Sequence, residues 1–184
     1  RCGGALIRKA KGTGMELRYV SLPGRGANDG FLARIAGMLL ENGLKLTGTM
    51  QVNIARADRH KCDMDLRILP DGPVLRISED RGREARGCIL DAGALEQAVE
   101  DVSRRLPRAE ILLVNKFGRQ EAEGRGFAPV IAEALAQGVP VLVGVNGLNL
   151  EAFQAFAGGM AQPLPAEAGQ VLDWCLAARC DHAA

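Results

Sequence analysis

Histidine is nearly absent: the 184-residue chain holds two, His60 and His182. A Ser-His-Asp or Cys-His system needs an imidazole beside its nucleophile, and one of the pair stands next to the C-terminus, so neither hydrolase class is expected. The five cysteines (Cys2, Cys62, Cys88, Cys175 and Cys180) form no CxxC pair. His60 and Cys62 are close, but too few partners remain for a zinc site, and no metal is expected. An odd cysteine count without a secretory segment points to reduced thiols and a cytoplasmic location. No apolar run approaches the roughly 20 residues that span a bilayer, so no membrane insertion is expected. Lysine occurs only at positions 9, 11, 45, 61 and 116, leaving most positive charge to arginine. A coding bias explains that scarcity, and so does a preference for guanidinium forks on phosphates and other oxyanions. With a net charge of +1, no overall field recommends a nucleic acid as partner.

What is present suffices for one substantial core: 47% of residues are apolar and 24% charged. Met15 directly precedes the first apolar run, so residues 1–14 read as an N-terminal extension or remnant and residues 15–184 as a single α/β domain. Strand Leu17–Leu22 leads through Pro23–Gly30 into a helix with Leu32, Ile35, Ala36, Leu39 and Leu40 on one stripe. Asn28 or Asp29 is expected to cap that helix, and Gly43 to end it. A second strand covers about Leu44–Val52. Met64, Leu66 and Ile68 then alternate with polar residues, and Pro70-Asp71-Gly72-Pro73 turns the chain into Val74–Ile77, an inserted β-hairpin. Asp91 opens a helix with Leu95, Ala98, Val99, Val102 and Leu106 on its stripe. Strand Ile111–Val114, helix Pro129–Gln137, strand Val139–Val145, a short helix capped by Asn149, and helix Glu167–Arg179 follow. This alternation predicts a three-layer fold: a mostly parallel sheet with helices on both faces.

Two loops at strand ends carry the candidate chemistry. Open α/β sheets bind ligands at the carboxyl ends of their strands. The first loop, Pro23–Gly30, has the architecture of a phosphate loop, in which glycines let backbone N–H groups converge on an anion at a helix N-terminus. It departs from GxxxxGK[ST]: five residues separate Gly24 from Gly30, and Phe31-Leu32 replace the lysine and hydroxyl residue. Gly24, Arg25, Gly26, Asn28 and Asp29 are its candidate anion contacts; a ligand-free turn fits the same residues. The second loop runs from Asn115 to Gly126. Asn115-Lys116 resembles the start of an NKxD guanine motif, but Gly118 supplies no acceptor. Here Lys116, Arg119 and Arg125 would neutralise an oxyanion, while Glu121 or Glu123 would orient water or a cation. Arg81, Arg83 and Arg86 form a third polar loop, read as a phosphate lid or as plain surface. Asp63, Asp65 and Arg67 alternate on one strand face, as a salt-bridge row or a pair of carboxylates.

The segments Cys62–Leu66, Arg76–Gly82, Arg86–Cys88 and Leu113–Gly126 together resemble a bacterial domain-of-unknown-function family whose genes are often found with molybdate-transport genes. The resemblance runs from about Leu17 to Cys175. That family in turn resembles, distantly, the P-loop nucleoside-triphosphatases, which implies a P-loop NTPase-like fold. Pro23–Gly30 then falls at the phosphate loop and Asn115–Gly118 where an acidic Walker B element follows its strand.

The expected function is therefore a nucleotide- or phosphate-ligand-binding P-loop-like protein serving molybdenum uptake or cofactor metabolism. Its degenerate Walker A and Walker B elements leave NTP hydrolysis weak or absent, and enzymatic activity open. ATP or GTP with magnesium is one ligand reading. A molybdate-binding sensor or buffer protein is a second, and a degenerate fold that uses its hairpin edge as an interaction surface is a third. The partners expected are a small anionic ligand and, left open, a second copy of the chain or a molybdenum-pathway protein.

Overall fold

The computed structural model describes residues 16–24, 26–55, 62–79 and 89–182. The extension 1–14, Arg25, His60 and the arginine loop lie outside the described residues, as does the Asp63 side chain. The chain opens with β1 (Leu17–Val20), α1 (Ala27–Glu41) and β2 (Leu46–Ala55). The insert follows as β3 (Cys62–Leu69), β4 (Val74–Arg76), β5 (Ser78–Glu79) and β6 (Ile89–Leu90). Next come α2 (Ala92–Arg105), β7 (Ile111–Phe117), α3 (Arg119–Ala122), α4 (Ala128–Ala136) and β8 (Val141–Val145). The chain ends with α5 (Leu150–Ala157), β9 (Gln162–Pro163) and α6 (Ala168–His182).

Seven strands form one sheet in the order β4-β3-β2-β7-β8-β1-β9. From β2 to β9 every neighbouring pair is parallel, and β3 and β4 add an antiparallel edge. Strand β7 shows why two helical layers are needed. Ile111 and Leu113 bury against α1 and α6, beside Leu32, Ile35, Leu39 and Val171. Leu112, Val114 and Phe117 bury on the opposite face against α2, α4 and α5, beside Leu95, Ile131 and Phe153. Strands apolar on both faces belong in the middle of such a sandwich, and the three-layer α/β expectation holds.

The chain leaves β1 toward the α1 face but leaves β7 and β8 toward the other. The carboxyl ends of β1 and β8, which are neighbours, thus feed loops that diverge, and such a divergence is where open α/β sheets have a crevice.

Four local expectations are revised. Neither Asn28 nor Asp29 caps α1: Gly26 occupies the N-cap with φ 76°, which starts the helix two or three residues early and moves both side chains into its first turn. Strand β2 runs on to Ala55 and pairs with β3, Gly48 opposite Leu69 through Ala55 opposite Cys62, so the insert begins with a long hairpin arm. Strand β7 runs three residues past Val114, because Phe117 is buried at 0% exposure beside Phe153, with ring centroids 5.1 Å apart. Asn149 does not cap α5 with its side chain; its Nδ2 donates to the Phe117 carbonyl at 3.2 Å, while Asn146 Oδ1 accepts the Asn149 N–H. Asp91 does cap α2, accepting the Ala94 N–H at 3.0 Å. Asp65 pairs with Arg76 across the β3–β4 ladder.

Cys175 on α6 is buried at 1% exposure, and burial pushes its thiol from 9.0 up to about 12. The folded state therefore favours the neutral thiol. That contribution is complete below pH 9.0 and is lost as pH rises toward about 12, because the unfolded chain ionises first. Urea midpoints at pH 8 and pH 10.5 (both on the order of one unit from the unfolded value) should fall more for wild type than for Cys175→Ala. Equal falls would mean that the thiol ionises alike in both states.

Candidate functional site

The turn after β1 is fixed from within. The Leu22 N–H donates to Asn28 Oδ1 at 2.9 Å, which ties the end of the strand to the first turn of α1. Gly24 (φ 101°) and Gly26 (φ 76°) take left-handed conformations that a side chain would strain. The first N–H groups of α1 have no helical partners and point out of the rim. A carboxylate already stands there. Asp29 Oδ1 accepts from Asn115 Nδ2 at 2.9 Å, and Asp29 Oδ2 lies 3.9 Å from the position a Cβ on Gly26 would take. The turn after β1 and the end of β7 are thereby joined by one hydrogen bond between two candidate residues.

At the end of β7 the register against β8 shifts between Val114 and Phe117. Asn115 is 2% exposed, and its carbonyl packs so close to Gly144 that a Cβ there would sit 2.2 Å from the oxygen. The Lys116 side chain is exposed, and among the described residues it has no ion-pair partner.

The following loop closes on Glu121, which is 6% exposed. Its Oε2 accepts the Gly118 N–H at 2.9 Å and its Oε1 accepts the Phe127 N–H at 3.1 Å. Gly126 (φ 56°) is pressed against the same carboxylate, so that an added Cβ would lie 2.3 Å from Oε1. Glu121 thus acts on the backbone of its own loop. Arg119 pairs with Glu123 at 2.7 Å, and Arg125 pairs with Glu123 and with Gln120, the latter at 2.9 Å. The hydrogen bond from Arg119 is the main reason the Glu123 carboxyl is held below its ordinary range, and the same bond raises Arg119. Both arginines therefore reach any ligand with their charge already shared.

A cavity of about 420 Å³ opens beside the middle of β2 and the end of β7, beneath the inserted strands. Thr49, Gln51 and Asn115 give it polar groups, and Lys116 and Arg119 stand at its edge. Met64, Leu66, Ile77, Leu90, Leu95 and Phe127 line the rest. It lies on the α2–α4 face of the sheet, whereas the turn 22–30 feeds α1 on the other face. The candidate residues accordingly form two groups. Gly24, Gly26, Asn28 and Asp29 belong to the turn, and Lys116, Arg119 and Glu121 border the cavity. Asn115 belongs to both, while Arg125 is outside the cavity wall.

Thr49 (1% exposed) and Gln51 (7%) were not expected at the site. Their signal was present, since polar residues at alternate positions of an apolar strand mark one face as lining something other than core. Among the described residues no cluster of His, Cys, Asp or Glu could hold a metal ion.

Three comparisons bear on this arrangement. The family model described as "Protein of unknown function (DUF2478)" matches residues 17–174. The molybdenum import ATP-binding protein ModC 2 of Bradyrhizobium diazoefficiens is 33% identical over 147 residues, which is 79% of this chain and 16% of that protein. The chain thus spans a small part of the curated relative it matches. The solution structure of a human cancer-related nucleoside triphosphatase aligns over 90% of this chain and 85% of its own, at 15% identity and a TM-score of 0.49, too loose a likeness to carry an argument.

Proposed function

The chain belongs to the DUF2478 family, and on that premise we propose that it binds a nucleotide or another phosphate-bearing small molecule between the middle of β2 and the carboxyl end of β7. One observation carries this reading: a cavity of ligand size joins buried polar groups on β2 and β7 to an unpaired lysine at its mouth. Small-molecule sites have this composition, an apolar lining with few polar groups that fix orientation, at volumes of roughly 300–1,000 Å³. Lys116 is the described cation best placed to meet a phosphate. The matching relative's name supports a place in molybdenum uptake.

Hydrolysis is weak or absent. A P-loop enzyme uses a phosphate-loop lysine, a hydroxyl and an acidic residue around magnesium. Phe31 and Leu32 stand in for the first two, and Asn115-Lys116 lie among the last residues of β7 where the acid would be. No helix among the described residues is long and apolar enough to cross a membrane, so the ligand reading needs no membrane-spanning helix there.

A thermal-shift panel of nucleotides, inorganic phosphate, molybdate, tungstate and sulfate tests this. A ligand at a hundred times its Kd adds about 2.7 kcal/mol, a rise of several degrees at this size. A nucleotide or other phosphate compound should give that rise, with phosphate release at background. A response to molybdate and tungstate alone would replace the reading with oxyanion binding, and a flat panel would end it.

A further inference from the structure

Resting on that reading, we infer that the ligand is a planar ring carrying a single phosphate, held without magnesium in the cavity on the α2–α4 side, and that the turn 22–30 is not its anion cradle.

The turn is filled by its own side chains. Asn28 is spent on the Leu22 N–H, and the Asp29 carboxylate occupies the start of α1, held by Asn115 with its second oxygen over Gly26. A helix N-terminus attracts one negative charge, and Asp29 already supplies it. A phosphate brought to the same place would have to displace that carboxylate.

Among the described residues magnesium has no ligand set at this rim. The described acids in the two loops are Asp29, Glu121 and Glu123, and Glu123 is paired with Arg119 and Arg125. Asp29 holds Asn115, and both Glu121 oxygens hold backbone N–H groups. A triphosphate needs a metal and several cations to offset its charge. Of the described cations that line the cavity, Arg119 is paired with Glu123 and Lys116 is unpaired, which matches one phosphate and not three.

The rest of the cavity suits a flat ring. Leu66, Leu95 and Phe127 offer an apolar wall to its faces, and Thr49 and Gln51 stand on β2 where a ring edge would be read. Inorganic phosphate alone would leave that wall unused.

Titration calorimetry with AMP, GMP and inorganic phosphate, and with ATP and GTP, each in EDTA and in magnesium, separates the outcomes. The expected result is a nucleoside monophosphate that binds equally well in both buffers and at least tenfold tighter than inorganic phosphate. Lys116→Gln should weaken it about tenfold, the order of one charge-assisted contact. Asp29→Asn keeps the acceptor for Asn115 but removes the charge, and should change the affinity less than twofold (a difference of about 0.4 kcal/mol). Tightening of fivefold or more in Asp29→Asn would put the phosphate at the turn and overturn the inference. Binding confined to magnesium-triphosphates would overturn it too while sustaining the broader reading, and no binding of any phosphate compound would remove both.

Discussion

Gly48→Ala is expected to cost about 4 kcal/mol or more, enough to leave a domain of ordinary stability largely unfolded. Gly48 is the third residue of β2, at φ 134°, directly opposite Leu113 of β7. A Cβ there would fall 1.8 Å from the Leu113 carbonyl oxygen and 2.9 Å from its nitrogen. These are backbone atoms of a central strand paired on both sides, so no side chain can rotate away and β2 itself must shift. Such a shift separates Thr49 and Gln51 from Asn115 and opens the cavity. The check is the urea midpoint of purified Gly48→Ala against wild type. A loss under about 1 kcal/mol would mean that β2 and β7 do not meet in this register.

The fold was legible where neighbours in sequence are also neighbours in space. The alternation of Met64, Leu66 and Ile68, with a turn at Pro70–Pro73, foretold β3 and β4, and the stripe from Leu95 to Leu106 foretold α2 with Asp91 as its cap. Reading failed where distant partners decide. Asn115-Lys116 reads locally as the end of a strand, yet Phe117 lies against Phe153 and Phe156 of α5, and that cluster keeps the chain extended. Asn28 and Asp29 both read as caps, but their partners are Leu22 and Asn115, and the second is 86 positions away. The site divides in the same way. Lys116 could be picked out because it follows an apolar run. The commitment of Arg119 to Glu123, and of Glu121 to two backbone amides, depends on loop geometry that spacing does not encode.

Glu121 is the residue whose sequence reading and geometry lead to opposite experiments. If its carboxylate oriented water or a cation, Glu121→Gln and Glu121→Ala would both silence chemistry and leave the fold intact. The geometry instead makes it the clasp of the loop between β7 and α4, with one oxygen on the Gly118 N–H and the other on the Phe127 N–H. Hydrogen bonds to a charged group are worth about 1.5–3 kcal/mol each, and a buried donor left unpaired is costly. Alanine should therefore lower stability by about 3 kcal/mol, a melting-temperature drop of roughly 10 °C. Glutamine keeps one acceptor but must turn its amide NH₂ toward the other backbone N–H, donor against donor, and should fall about midway. Because Lys116 precedes the loop and Phe127 ends it, ligand affinity should decline in the same order, alanine below glutamine below wild type. Melting curves of the two variants, with and without ligand, decide the matter. Wild-type stability in both would leave Glu121 free for chemistry, whereas graded losses would establish it as the residue that holds the cavity's rim in shape.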